Sequence, residues 1–124
     1  MACAPGVRYM LLNDPARALR EPSTRVMVAT GGAAPTSALI GMMDALGFDF
    51  IHLYGLTESY GPATLQILDD REAALETDAR AMILTRQGVP HATASRVRIF
   101  DGSGRDVPAD GRSIGEIALQ GNTL

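Results

Sequence analysis

The residues Tyr54-Gly55-Leu56-Thr57-Glu58 bring together an aromatic ring, a flexible glycine, a hydroxyl and a carboxylate. Such groups can hold a nucleotide: the ring offers a face to the base, glycine backbone and a hydroxyl suit phosphate, and a carboxylate suits magnesium. A second glycine-rich stretch, Thr30 to Pro35, lies upstream, and its small side chains would let the backbone approach the base from the other face. The residue types therefore suggest nucleotide binding with a metal-assisted step at phosphate.

A structural interpretation of the same residues stays open. Tyr54 could fill the core, Thr57 could cap a helix and Glu58 could be a solvated carboxylate in a first helical turn. His52, two residues before the tyrosine, is typical of a packed histidine at the end of a strand.

The flanking sequence predicts a βαβ unit around the two glycine stretches. Short apolar runs at 25–29 and 48–54 predict buried strands, and the apolar spacing from Thr36 to Leu46 predicts a helix between them. Thr36 or Ser37 can cap this helix, and Gly47 can end it. Because open α/β sheets bind ligands at the carboxyl ends of their strands, both glycine stretches should lie on one edge of the sheet.

One further helix is predicted before the βαβ unit and one after it. The first runs from Val7 to Arg20 with an interruption at Asn13-Asp14-Pro15. The second runs from Asp69 to Arg86 with a capping box formed by Asp69 and Glu72, and with an ion pair between Glu76 and Arg80. Its predicted buried stripe consists of Ala74, Leu75, Ala79, Met82 and Ile83.

The last third of the chain reads as antiparallel β structure. Strands are predicted at Arg96 to Asp101 and Gly115 to Gln120, with glycine-containing turns between them. The predicted fold class is α/β: a βαβ piece of a larger sheet followed by a small antiparallel β-rich segment. We divide it into an α/β nucleotide-binding segment at 1–86 and a β-rich segment at 87–124, both parts of one incomplete domain.

Composition limits the function classes. With 124 residues the chain fits one domain, and no apolar run approaches membrane-spanning length. The net charge is −3, and the basic residues do not cluster, which argues against a nucleic-acid partner. A single cysteine, Cys3, and no visible secretory signal favour a cytoplasmic location.

Tyr54 to Glu58 resembles the signature motif of the AMP-forming adenylating enzymes, which include acyl-CoA synthetases, firefly-type luciferases and nonribosomal peptide adenylation domains. The turn Gly31 to Pro35 resembles the adenine-binding turn of the same family. The longer stretch from His52 to Thr64 is most similar to the medium- and long-chain fatty acyl-CoA synthetase branch. Later stretches are similar to the strand-rich region that follows in acyl-CoA synthetases: 86–89, 106–111, 114–117 and Gly121-Asn122.

The resemblance implies a two-step reaction. A carboxylate, here a fatty acid, attacks the α-phosphate of ATP to give an acyl-adenylate and pyrophosphate, and coenzyme A then displaces AMP to give a thioester. Position by position, Thr57 would contact the α-phosphate and Glu58 would bind Mg²⁺, so these two would be the catalytic residues. The remaining positions implied are an adenine site at Gly32, Ala33, Ala34, Pro35, His52 and Tyr54, and a border of the acyl pocket at Gly55 and Leu56.

Several parts of such an enzyme are missing from this sequence. The family has a phosphate loop that ends in lysine, a ribose-binding aspartate and a C-terminal catalytic lysine, whereas this chain contains no lysine. We therefore expect an internal segment of a larger enzyme that carries one wall of the site and is inactive alone. The alternative is a non-catalytic α/β fragment that acts as an assembly or partner-binding module and self-associates.

Overall fold

The computed structural model describes residues 1–19, 23–92 and 96–121. The strands and helices follow in this order: β1 Ala2–Cys3, α1 Pro5–Asn13, a 3-10 helix Pro15–Leu19, β2 Val26–Thr30, α2 Ser37–Ala45, β3 Phe48–Leu56, β4 Gly61–Gln66, α3 Asp70–Ala73, α4 Thr77–Leu84, β5 Val89–Pro90, β6 Arg96–Phe100 and β7 Glu116–Gln120. Strands β1 to β5 form one sheet in that order, and β6 and β7 form a separate antiparallel pair. The α/β fold class with a small antiparallel segment is confirmed. Two predicted features, Arg20 at the end of the first helix and Asn122, lie outside the described residues.

The predicted βαβ unit is present as β2, α2 and β3. Strands β2 and β3 pair in parallel, with Val28 opposite Phe50. The helix between them begins at a cap in which the Thr36 hydroxyl accepts a hydrogen bond from the Leu39 N–H at 3.2 Å. It ends where Gly47 adopts a φ of +78°, a value that favours glycine. Local capping signals therefore fix both ends of α2.

The helices cover one face of the five-stranded sheet. Alternate residues of β2 and β3 point toward them, and Val28 and Phe50 are buried there against α2 and α4. The buried cluster consists of Leu12, Val28, Leu39, Ile40, Met43, Phe48, Phe50, Ala81 and Leu84. The opposite face, which we call the open face, contributes no residue to this cluster in the described part of the chain. It carries Met27, Ala29, Ile51, Leu53 and Leu65, and Met27 is 60% exposed.

The helix predicted at 69–86 is wrong as a single element, because it is divided into α3 and α4. The capping box of Asp69 and Glu72 is confirmed at the start of α3. The chain leaves helical geometry at Glu76, where φ and ψ are −58° and 152°, so α4 starts with a new phase. The residues of α4 that are buried are therefore Ala81 and Leu84. The predicted stripe is corrected accordingly: Ala74, Leu75, Ala79 and Met82 are exposed and Ile83 is half-buried.

The predicted ion pair between Glu76 and Arg80 is also absent from the described ion pairs. Glu76 lies at the N-cap of α4 and accepts a backbone hydrogen bond from the Arg80 N–H. The Arg80 guanidinium instead pairs with Asp44 at 2.8 Å, and Asp44 also pairs with Arg25 at 2.6 Å. This shared carboxylate ties the end of α2 to α4 and to the start of β2.

Strands β1, β4 and β5 were not predicted. Strand β4 pairs antiparallel with β3 and is itself paired with the short β5. Val89–Pro90, which follows the predicted boundary between 86 and 87, joins the first sheet. The division of the chain at that boundary stays a prediction. No helix among the described ranges is long and apolar enough to cross a membrane.

Arg8 is the one charged side chain in the described core. It is 1% exposed, its guanidinium lies 5.6 Å from the Phe50 ring centroid, and its Nε and Nη1 have no hydrogen-bond partner. Burial lowers the pKa of Arg8, because desolvation disfavours the charged form.

Candidate functional site

Both glycine stretches lie at the carboxyl edge of β2 and β3, as predicted. Residues 31–36 follow β2, and the turn Thr57 to Tyr60 joins β3 to β4. The two stretches come close together, since a Cβ built on Gly31 would lie 3.5 Å from the Cβ of Leu53. They enclose a groove of about 420 Å³, lined by Gly31, Gly32, Leu53, Gly55, Leu56, Thr57, Tyr60, Gly61 and Pro62. We call this the edge groove.

Ser59 fixes the turn that carries Thr57 and Glu58. Its hydroxyl accepts a hydrogen bond from the Leu56 N–H at 2.8 Å and donates to the Gly61 carbonyl at 2.7 Å. The backbone adds a bond from the Tyr60 N–H to the Thr57 carbonyl at 3.1 Å. Tyr60 adopts a φ of +55°, which is uncommon for a residue with a side chain, and the residue is 86% exposed. Thr57 and Glu58 are thus held, exposed, at the tip of an organised turn.

Gly55 is required where β3 and β4 pair irregularly. The register shifts between Tyr54 and Gly55, because Tyr54 pairs with Thr64 whereas Gly55 pairs with Pro62. A Cβ on Gly55 would lie 2.2 Å from the Gly61 carbonyl oxygen. No side chain fits there, so this glycine brings β4 against β3 at the base of the turn.

Tyr54 and Leu53 lie on opposite faces of β3. Tyr54 pairs with Thr64, which is buried on the helix side, whereas Leu53 pairs with Leu65 on the open face. Leu53 lines the edge groove and Tyr54 does not. The Tyr54 side chain and the edge groove therefore lie on opposite faces of β3. The turn that begins at Thr57 lies at the end of this strand, next to both faces.

His52 is packed below Tyr54, in line with its structural interpretation. It is 2% exposed, and its Nδ1 lies 2.7 Å from the Arg86 carbonyl, which requires Nδ1 to carry the proton and to donate. On the neighbouring strand the Thr64 hydroxyl donates to the Gln87 carbonyl. These two bonds hold the segment 86–88 against the middle of β3 and of β4.

The predicted adenine turn is mostly accessible. Gly32 adopts a φ of +102°, which favours glycine, and Gly32, Ala33 and Ala34 are exposed. Pro35 is buried, so its side chain supports the turn from below. The structure thus brings Gly32, Gly55, Leu56 and Thr57 together around one groove and places Tyr54 and His52 on the other side of β3.

Glu58 belongs to no cluster of metal-ligating side chains in the part of the chain that the structure describes. Among the described residues no group of three histidine, cysteine, aspartate or glutamate side chains could hold a metal ion. A magnesium ion at Glu58 would need its other oxygen ligands from phosphate and water, which is the usual arrangement for Mg²⁺ at nucleotide sites.

Sequence reasoning missed three residues that shape this edge: Ser59, Thr64 and Leu53. Ser59 carries a usable local signal, because serine at this point of a turn can bond to nearby backbone. Thr64 and Leu53 act through partners that only the sheet pairing brings near.

Comparison with known proteins gives consistent results. The family model described as AMP-binding enzyme matches residues 1–124. The chain is 34% identical to 4-hydroxybutyrate–CoA ligase 2 of Metallosphaera sedula over 124 residues, all of this chain and 22% of that protein. It is 37% identical to the peroxisomal acetate/butyrate–CoA ligase AAE7 of Arabidopsis thaliana, over 98% of this chain and 22% of that protein.

The fold is also that of a solved protein. The N-terminal domain of FACL13 from Mycobacterium tuberculosis superposes with a TM-score of 0.73 at 25% identity, covering 99% of this chain and 28% of that one. The chain thus spans about a fifth of the length of the curated relatives described above.

Proposed function

Because this chain belongs to the family of AMP-binding enzymes, we propose that it forms the adenine- and phosphate-facing wall of an ATP-dependent, AMP-forming acyl-CoA ligase. The family membership and the acyl-CoA ligase relationship are established by the family model and the relatives. The activity of a whole ligase, its substrate and its cofactors are proposals for this chain.

One observation carries the proposal: the turn with Thr57 and Glu58 meets residues 31–36 at the carboxyl edge of a partly parallel sheet. This is where open α/β sheets bind nucleotides. Tyr54 lies on one side of β3 and the edge groove on the other, so a nucleotide and a second substrate could approach Thr57 from opposite sides.

The roles of the individual residues are those that the resemblance implies, and they are proposals for this chain. Tyr54 stacks on adenine, and the exposed residues Ala33 and Ala34 border the base, with Gly32 and the buried Pro35 completing the turn. His52 supports the base edge from within the sheet, where its Nδ1–H donates to the Arg86 carbonyl. Thr57 contacts the α-phosphate as the carboxylate oxygen attacks phosphorus and pyrophosphate leaves.

Glu58 fits magnesium as a single exposed carboxylate beside the phosphates. A bound Mg²⁺ would neutralise charge on the phosphate oxygens. In the second step the coenzyme A thiol attacks the acyl carbonyl and AMP leaves. Gly55 and Leu56 border the acyl group on the groove side of β3.

We propose a fatty acid as the carboxylate. The edge groove is lined by glycine, leucine, proline, threonine and tyrosine, and none of these side chains is charged. Two relatives act on 4-hydroxybutyrate and on acetate or butyrate, as their names say, which supports an aliphatic carboxylate. A cytoplasmic location is part of the same proposal.

Titration with AMP tests the nucleotide wall. We expect saturable amide shifts in 30–36 and 54–58 at millimolar AMP, and about tenfold weaker binding for Tyr54→Ala, because stacking of a base on an aromatic ring contributes about 1–3 kcal/mol. Tyr9→Ala is the matched control, since Tyr9 is 51% exposed on α1 and does not line the edge groove. The proposal fails if AMP causes no saturable shifts, or if both variants bind AMP equally.

The isolated chain should not catalyse ATP–pyrophosphate exchange, because it has no lysine to complete the phosphate site. ATP–pyrophosphate exchange by the purified chain would contradict the expectation that this chain carries only one wall of the active site.

The second candidate, a non-catalytic assembly module, is favoured by the open face. Met27 is 60% exposed there and Val89, which pairs with Leu65 at the sheet's edge, is 69% exposed. Sedimentation of the isolated chain distinguishes the two: concentration-dependent association that Met27→Lys abolishes, together with no AMP binding, would favour the module.

A further inference from the structure

The hydroxyl of Ser59 joins the two ends of the turn that connects β3 to β4. We propose that Ser59 is a positioning residue for the phosphate contacts: its hydroxyl holds the turn in the geometry that lets Thr57 and Glu58 face a bound phosphate. This inference rests on the proposed function and adds to it the side chain on which the phosphate contacts depend.

The Ser59 hydroxyl bridges the last residue of β3 and the first residue of β4. These residues, Leu56 and Gly61, are paired in the register of the two strands. The Leu56 N–H donates to Ser59 Oγ at 2.8 Å, and the hydroxyl donates to the Gly61 carbonyl at 2.7 Å. The Leu56 carbonyl lies 2.9 Å from the same oxygen, so the single hydroxyl proton has two acceptors, one on each strand. Removal of this one oxygen therefore takes away the side-chain bonds on both sides of the turn.

The turn depends on such a bridge because its backbone is in an uncommon conformation. Tyr60 and Gly61 follow Ser59 with φ values of +55° and +145°. A tyrosine rarely adopts a positive φ, so the local preference of the chain does not select this turn. The bonds of Ser59, together with the bond from the Tyr60 N–H to the Thr57 carbonyl, stabilise it against other conformations.

The side chains of Thr57 and Glu58 take their direction from this backbone. Both residues are exposed, and the described hydrogen bonds within the turn involve backbone groups or the Ser59 hydroxyl. Tyr54 lies earlier in β3, where it pairs with Thr64 and not with a residue of the turn. Loss of the Ser59 hydroxyl should therefore weaken the binding of the phosphate and leave the binding of the base unchanged.

The test compares AMP with adenosine, which has the same base and ribose but no phosphate, in NMR titrations of the full 124-residue chain. Ser59→Ala should weaken AMP binding about fivefold, since one hydrogen bond corresponds to about a two- to tenfold change, and should change adenosine binding by less than about twofold. Ser59→Thr keeps the hydroxyl and should bind AMP within about twofold of the unmodified chain. Ser113→Ala is the matched control, because the Ser113 hydroxyl donates to Asp110 at 2.9 Å in an exposed turn of the β-rich segment.

Four outcomes would overturn the role of Ser59: unchanged AMP binding in Ser59→Ala, equal weakening of AMP and adenosine, AMP binding by Ser59→Thr as weak as that by Ser59→Ala, or an equal effect of Ser113→Ala. A general loss of structure would weaken both ligands, so the comparison with adenosine separates it from a loss of phosphate contacts. Failure of the proposed function has a different signature, because the unmodified chain would then show no saturable shifts with AMP.

Discussion

Gly88 and Gly104 provide a matched pair for measuring what a close backbone approach costs. Their φ values are +78° and +79°, so alanine at either position pays the same left-handed penalty of about 1 kcal/mol. Their surroundings differ completely: a Cβ on Gly88 would lie 1.9 Å from the Leu65 carbonyl oxygen, whereas a Cβ on Gly104 meets nothing within 4 Å. The difference between Gly88→Ala and Gly104→Ala therefore isolates the contact with β4.

The magnitude follows from the bonds that the displaced segment must give up. Moving 86–88 away from β4 breaks the hydrogen bonds from His52 to the Arg86 carbonyl and from Thr64 to the Gln87 carbonyl. At about 1 kcal/mol each, we expect Gly88→Ala to lower the free energy of unfolding by about 2 kcal/mol more than Gly104→Ala. Both alanines also restrict the unfolded chain by the same amount, which cancels in the comparison.

Urea unfolding followed by far-UV circular dichroism measures both variants under one condition. An unchanged m value would show that the unfolded states are comparable. If the two variants lose the same free energy of unfolding within about 0.5 kcal/mol, the reasoning is refuted, because the close approach of Gly88 to β4 would then have no effect on stability.

Further predictions concern charge. Asp44→Asn should lower the free energy of unfolding in urea by about 1 kcal/mol, because this partly exposed carboxylate bridges Arg80 and Arg25. The loss should be smaller at high salt, and a loss that does not depend on salt would contradict an ionic role. The hydrogen bond from the Ser103 hydroxyl is the largest cause that lowers the pKa of Asp101, and backbone N–H groups add to it. The ionised Asp101 therefore stabilises the folded state at pH values above the unfolded-state pKa of about 3.9. This stabilisation is lost as the pH falls through the lower pKa of the folded state. NMR titration of Ser103→Ala should show the Asp101 pKa raised, and an unchanged pKa would exclude the hydroxyl as its main cause. Arg8→Met should leave the melting temperature unchanged or higher, because a buried guanidinium whose Nε and Nη1 have no hydrogen-bond partner is replaced by an apolar chain of similar length. Destabilisation by more than about 2 kcal/mol would show that the contact with the Phe50 ring outweighs the cost of burying the charge.

The βαβ unit could be predicted because its signals are local. A five-residue apolar run, a threonine cap and a glycine with positive φ mark β2 and both ends of α2 within a few positions of each boundary. Strand β4 escaped prediction because Gly61-Pro62 reads as a turn, and its stability comes from pairing with β3 across a bulge. The break between α3 and α4 could not be predicted, because no glycine or proline marks it in the sequence.

The candidate site divides in the same way. Its exposed members, such as Thr57 and Glu58, are adjacent in sequence, and their residue types alone indicate phosphate and metal chemistry. The residues that support them, Ser59 and Thr64, act on backbone carbonyls, and a single sequence does not show which carbonyls lie within reach. Pairing partners of this kind depend on sheet register, which arises only when the strands assemble.

The alternation of side chains along β3 governs which length changes the chain can tolerate. Deletion of one residue between Phe50 and Tyr54 would exchange the two faces of everything beyond it, because side chains in a strand alternate with a period of two. Tyr54 would then point to the open face, and Leu53 would be pushed among the helices. An insertion at Gly102 or Gly104 would instead enlarge an exposed turn with open space around it and would invert nothing. Insertions and deletions should therefore be confined to such turns, while β3 varies only by substitution.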